Sequence, residues 1–152
     1  MAHRSKRGGK EPQEHYTKLV RTMMQEPAWR ALPPVAQALY PWLKLEWRGP
    51  HANNNGKIRF SVRQAADALG VSRDTAARGF RELQAKGFIV VTEQACLGVA
   101  GAARAPAYEL TEIELPNGSS RGGSKLYREW REGQDFKVKK TRTNNPEGMN
   151  GK

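Results

Sequence analysis

The chain has 152 residues, of which 38% are hydrophobic, and its 26 Lys and Arg stand against 15 Asp and Glu for a formal charge of +11. That length suits one ordinary domain with solvated ends, and no apolar run approaches the roughly 18 residues of a membrane span, so neither several domains nor an integral membrane protein is expected. A lone cysteine, Cys96, excludes an internal disulfide and a cysteine-built zinc site and favours a cytoplasmic setting, while the cationic excess points to phosphate polyanions as partners.

Residues 1–14 are basic, with Arg4, Lys6, Arg7 and Lys10 around Gly8-Gly9, and have little to bury. A disordered tail is expected there, without the apolar stretch of a secretory signal. From Tyr16, the apolar residues Leu19, Val20 and Met23 predict a short helix or docking segment. After Pro33-Pro34, Val35, Ala38, Leu39, Trp42, Leu43 and Trp47 fall at helical spacing and predict one apolar stripe, kinked at Pro41 and ended by Gly49-Pro50. His51 to Gly56 reads as a loop, and Lys57-Ile58-Arg59-Phe60 alternates as a short strand.

Ser61 followed by Gln64 three residues on is a capping box, with Val62, Ala65, Ala66 and Leu69 as the buried face and Gly70 as the stop. Ser72 is the next N-cap and opens a helix over 72–86, whose core stripe is Ala76, Gly79, Phe80 and Leu83. Gly87 ends it, and Phe88 is placed to fold back on the last turn. Phe88 to Thr92 and Tyr108 to Leu115 read as paired strands, joined through Cys96 to Pro106. From Pro116 the composition turns to Asn, Gly, Ser and charge, interrupted by Leu126, Tyr127, Trp130 and Phe136, which predict a docking element.

Two helices, a tight turn and a following strand are the order of a winged helix-turn-helix. The segment GVSRDTAARGFRELQAKGFIVV at 70–91 is similar to the GntR-like pattern of bacterial regulators. With AWRAL at 28–32 and NNNGKI at 53–58, the arrangement from Trp29 to Leu115 resembles small helix-turn-helix proteins of bacterial mobile elements and prophages. The resemblance implies an α+β, mainly α fold, with a three-helix core and a β-hairpin wing over 15–115, a basic N-terminal tail over 1–14 and a basic C-terminal tail over 116–152. It implies a small transcriptional regulator associated with the nucleoid. Nothing after the wing resembles a metabolite-sensing domain, and the wing tip departs from the basic pattern in carrying only Arg104 among small apolar residues.

Rotating the 72–86 helix in steps of about 100° sets Asp74, Arg78 and Arg81 opposite the core stripe, with Arg73 and Thr75 at the exposed N-terminus. Arg73 and Arg78 are candidates for guanine, whose O6 and N7 match a guanidinium fork. Thr75 suits a thymine methyl or a phosphate, Arg81 a phosphate, and Ser72 the helix cap at the DNA surface. Asp74 is expected to favour the helix dipole and pair with Arg78 rather than meet a base. Lys57, Arg59, Arg63 and Arg104 are expected on the DNA backbone, and the stretches Arg4–Lys10 and Lys137–Arg142 to add affinity without specificity.

No catalysis, metal or cofactor is expected. His3, His15 and His51 lack ligand spacing, Cys96 has no histidine near it in sequence, and Arg121 to Lys125 lacks the phosphate-loop spacing. Glu93, Glu109, Glu112 and Glu114 are expected to face solvent from the strands. Double-stranded DNA is the expected partner, with a homodimer on a two-fold site and no membrane. The rival readings are a plasmid or phage replication initiator, a winged-helix protein-interaction module acting through its wing or C-terminal segment, and an RNA binder acting through its tails.

Overall fold

A computed structural model describes residues 13–97, 103–118 and 121–139. The protein is α+β and mainly helical, with five α-helices and a small three-stranded antiparallel sheet among the described residues. Residues 1–12 of the tail expected over 1–14, residues 98–102 of the expected wing tip, and the basic residues Lys140 and Arg142 lie outside them. No described helix is long and apolar enough to cross a membrane.

Two four-residue helices come first, α1 (Arg21–Met24) and α2 (Pro27–Arg30), so the segment from Tyr16 to Val20 is not helical. Helix α3 (Pro34–Leu45) runs through Pro41. Its buried face is Ala36, Leu39, Tyr40, Leu43 and Lys44, which corrects the expected stripe: Ala38 and Trp42 face solvent, and Trp47 lies beyond the helix end. The reason lies in two side chains that read as polar. Lys44 Nζ donates to Glu112 at 2.7 Å and to the carbonyl of Lys18 at 2.7 Å, and Tyr40 donates to the other Glu112 oxygen at 2.5 Å. With their heads satisfied, Tyr40 and Lys44 bury their stems and turn the helix by one position.

The loop after α3 holds a 3-10 turn, Pro50–Ala52, and then three asparagines that tie the loop to the chain just after α3 and, through Asn55, to the sheet. Asn53 accepts from Trp47 Nε1, Asn54 accepts from the Arg48 N–H, and Asn55, which is 2% exposed, bonds both the N–H and the carbonyl of Leu110. Strand β1 (Ile58–Arg59) leads to α4 (Val62–Leu69), whose capping box forms as expected, with Gln64 N–H on Ser61 Oγ at 3.0 Å and Ser61 N–H on Gln64 Oε1 at 2.9 Å. Gly70, at φ 67°, ends α4.

Helix α5 (Arg73–Ala85) is capped by Ser72. It crosses α3 closely at Gly79, where a Cβ would meet the Leu39 side chain at 3.2 Å. Its C-terminus closes in a Schellman motif: Phe88 N–H donates to the Leu83 carbonyl at 2.9 Å and Gly87 N–H to the Gln84 carbonyl at 3.0 Å. Strands β2 (Ile89–Glu93) and β5 (Ala107–Leu110) pair antiparallel, and the sheet order is β1-β5-β2. Between them β3 (Cys96–Leu97) and β4 (Ala103–Arg104) extend the hairpin. The strand ends at Leu110, well before Leu115, because Thr111 turns the chain and Glu112 dives under Tyr40 and Lys44. The Glu112 side chain is 8% exposed, a correction to its expected solvent-facing place.

The core is aromatic. Trp29 meets Tyr40 and Phe88 edge-on at 5.6 Å, and Phe80 stacks on Tyr108 at 5.3 Å. Residues 121–139 complete it. Tyr127, in the 3-10 turn Leu126–Arg128, stacks on Phe88 at 4.8 Å, and Trp130 is buried with its Nε1 donating to Asp135 at 2.9 Å. The predicted docking element therefore folds onto its own domain.

Candidate nucleic-acid interface

The three residues between α4 and α5 are Gly70, Val71 and Ser72. Gly70 supplies the left-handed turn, Val71 is packed against the core, and Ser72 caps the next helix. Ser72 Oγ accepts from the Thr75 N–H at 3.2 Å and donates to Thr75 Oγ1 at 2.9 Å. Ser72 is thus fully engaged in the cap, while Thr75 keeps its own hydroxyl proton for an outside acceptor.

Helix α5 buries Ala76, Gly79, Phe80 and Leu83 and exposes Arg73, Asp74, Arg78 and Arg81. Arg73, Ala77 and Arg81 follow one another at four-residue spacing, and Asp74 and Arg78 make a second row beside them. The span from Arg73 to Arg81 is about 12 Å of helix, matching the roughly 12 Å width of a major groove. The expected Asp74–Arg78 ion pair does not form: neither side chain has a hydrogen-bond or ion-pair partner among the described residues. Both stand in solvent, where holding two side chains together gains little.

The remaining expected contacts divide. Arg63, in the first turn of α4, Lys57, just before β1, and Arg104, on β4, are exposed and have no side-chain partner among the described residues. Arg59 is different. Its guanidinium donates to Glu93 at 2.6 Å and to the Ala105 carbonyl at 2.6 Å. It ties β1 to the hairpin, so its fork is already spent on the protein.

Elsewhere three cations are ion-paired among the described residues. Lys44 meets Glu112 at 2.7 Å, Lys86 meets Asp135 at 3.1 Å and Glu82 at 3.3 Å, and Arg128 lies 3.9 Å from Glu26. Burial, and next the Glu112 carboxylate, push the Tyr40 phenol well above its ordinary range. The Trp130 N–H, and then Lys86, hold the Asp135 carboxyl below the ordinary aspartate value. Comparison with known protein families, with curated proteins and with solved structures returned no match.

No group of three or more His, Cys, Asp or Glu suited to a metal ion occurs among the described residues. A cleft of about 380 Å³ opens beside Lys44, Trp47, Glu112 and Tyr127, but its central charges bond each other and act as a latch. Sequence reasoning missed this latch, the asparagine clasp and the placement of Lys137 and Lys139 against α5. The signal for the last was present in the alternation of Phe136-Lys137-Val138-Lys139.

Proposed function

We propose that this protein is a sequence-specific double-stranded DNA-binding protein of winged-helix architecture, acting as a small bacterial transcriptional regulator. In this reading α4 and α5 are the helix-turn-helix, α5 enters the major groove by its N-terminal half, and the hairpin carrying β3 and β4 is the wing.

The observation that carries the reading is the grouping of arginines on the helix pair. Arg73, Arg78 and Arg81 on α5 and Arg63 in the first turn of α4 all stand exposed without side-chain partners among the described residues. Arg78 and Arg81, three residues apart, are neighbours on the helix surface, and like charges so placed cost folding free energy when nothing answers them. A phosphate backbone answers them, and the guanidinium forks are free to meet guanine edges. Ala77 lies between Arg73 and Arg81, and so small a residue lets the helix approach the base pairs closely. A single helix reads few base pairs, so a dimer on a two-fold site is part of the proposal.

The test is selection of sheared genomic DNA on the purified protein at about 150 mM salt, where loose backbone contacts are screened. The expected outcome is one enriched motif near promoters; enrichment at repeated origin sites would give the same reader a replication role. Arg78→Ala is expected to weaken the selected site by about 5-fold to 150-fold, from roughly 1–3 kcal/mol of base discrimination, and random DNA much less. Equal losses on both DNAs would refute the role given to Arg78, and no enrichment would refute sequence-specific reading.

A further inference from the structure

The face of α5 that carries its arginines does not stay open to the end of the helix. Gln84 and Ala85 are only 7% and 6% exposed. Ala85 follows Arg78 by seven residues and Arg81 by four, so it belongs to that outward face. What covers the last turn is residues 135–139. The Phe136 N–H donates to the Ala85 carbonyl at 2.9 Å, one of the carbonyls a helix end leaves unpaired, and the Lys139 N–H donates to Gln84 Oε1 at 3.1 Å. Phe136 and Val138 are half-buried, while Lys137 and Lys139 are exposed with no side-chain partner among the described residues.

We propose that residues 136–139 are a phosphate-binding strap that carries the cationic face of α5 onto the DNA backbone. The proposal rests on the DNA-binding reading given above. Its physical basis is placement together with rigidity. The strap alternates with a period of two, which turns both apolar side chains inward and both lysines outward. It is anchored upstream by Asp135, which accepts from Trp130 Nε1 at 2.9 Å and from Lys86 at 3.1 Å. Gln84 lies three residues beyond Arg81, about 4.5 Å along the axis, so the lysines continue the arginine row at its C-terminal end.

A helix entering the major groove by its N-terminal half brings that end to the groove wall, where phosphates and not base edges are presented. Lysine, a flexible point charge, suits phosphate there, and no base readout is expected from it. With both apolar side chains turned inward, the strap has no apolar edge to insert into a membrane.

The test measures log affinity against log salt for a specific site and for random DNA. Lys137→Gln/Lys139→Gln is expected to reduce the slope by about 1.8 on both DNAs alike, from about 0.9 per phosphate contact, with the thermal melting curve unchanged. Lys18→Gln/Arg21→Gln removes the same net charge from the N-terminal segment held by Lys44 and is expected to leave the slope within about 0.5 of the parent. An unchanged slope in the strap variant overturns the proposal, as do equal slope losses in the two variants, which would reduce the effect to net charge. A parent protein that binds no DNA at any salt overturns the DNA-binding reading and this proposal with it, whereas binding that depends on Arg78 but not on the strap lysines overturns the strap alone.

Discussion

Two glycines with the same backbone conformation and different surroundings separate strain from packing. Gly70 ends α4 at φ 67°, and a Cβ built there meets nothing within 4 Å. Gly87 ends α5 at φ 84°, and a Cβ there would lie 2.7 Å from the Phe136 ring, 2.9 Å from the Tyr127 nitrogen and 3.0 Å from the Leu126 carbonyl carbon. Gly70→Ala is therefore expected to cost only the left-handed strain, about 1–2 kcal/mol. Gly87→Ala adds overpacking of about 1–3 kcal/mol, because two of the three obstructing atoms are backbone and cannot rotate aside. The expected total at Gly87 is about 2–5 kcal/mol. Urea unfolding followed by tryptophan fluorescence measures both, since Trp29 and Trp130 are buried, and equal m-values would show that the denatured states match. A Gly87→Ala variant no less stable than Gly70→Ala would refute the argument that residues 126–136 are pressed against the end of α5.

The buried latch gives a second expectation. Glu112→Gln leaves Lys44, 2% exposed, without its counter-charge and is expected to cost about 3–5 kcal/mol in the same unfolding assay, whereas Lys44→Met with Glu112→Leu is expected to cost less than the single change. The strap anchor is pH-dependent. The Asp135 carboxyl is held below its unfolded value by Trp130 first and Lys86 next, so its contribution is fully present above the ordinary aspartate value and is lost as pH falls through the lower folded value. Asp135→Asn is expected to remove that acid-side part of the stability curve, and an unchanged curve between neutral pH and pH 3 would refute it.

What the sequence made legible was local. The Ser61–Gln64 box, the Ser72 cap and the Gly70 and Gly87 stops are each written within a few residues, and the structure places them where their chemistry puts them. The arginines of α5 were legible for the same reason, since their side follows from helical period alone. What escaped depends on partners far along the chain. Lys44 reads as a surface residue until Glu112, 68 positions later, is beside it. Asn55 reads as loop composition until it meets Leu110, 55 positions later. Arg59 reads as a free cation until the hairpin returns Glu93 to it. The 121–139 segment shows the same limit, because its aromatics signalled docking while the surface they dock on is formed by residues as distant as Trp29 and Phe88.

The Asn55 side chain has a consequence for what the sheet does not do. Strand β1 pairs Ile58 with Tyr108 and Arg59 with Ala107, so two more residues of ladder would bring Gly56 opposite Leu110. The backbone does not continue there. The Asn55 amide takes the vacant rung instead, accepting from the Leu110 N–H at 2.8 Å and donating to its carbonyl at 3.0 Å. An open rung beside so short an edge strand is a template on which a foreign strand can pair. A carboxamide that occupies both hydrogen-bonding positions of Leu110 closes it and offers no further backbone to extend. The central strand thus has a border made by a side chain, and losing that amide would be felt in self-association between molecules as well as in the folding of one.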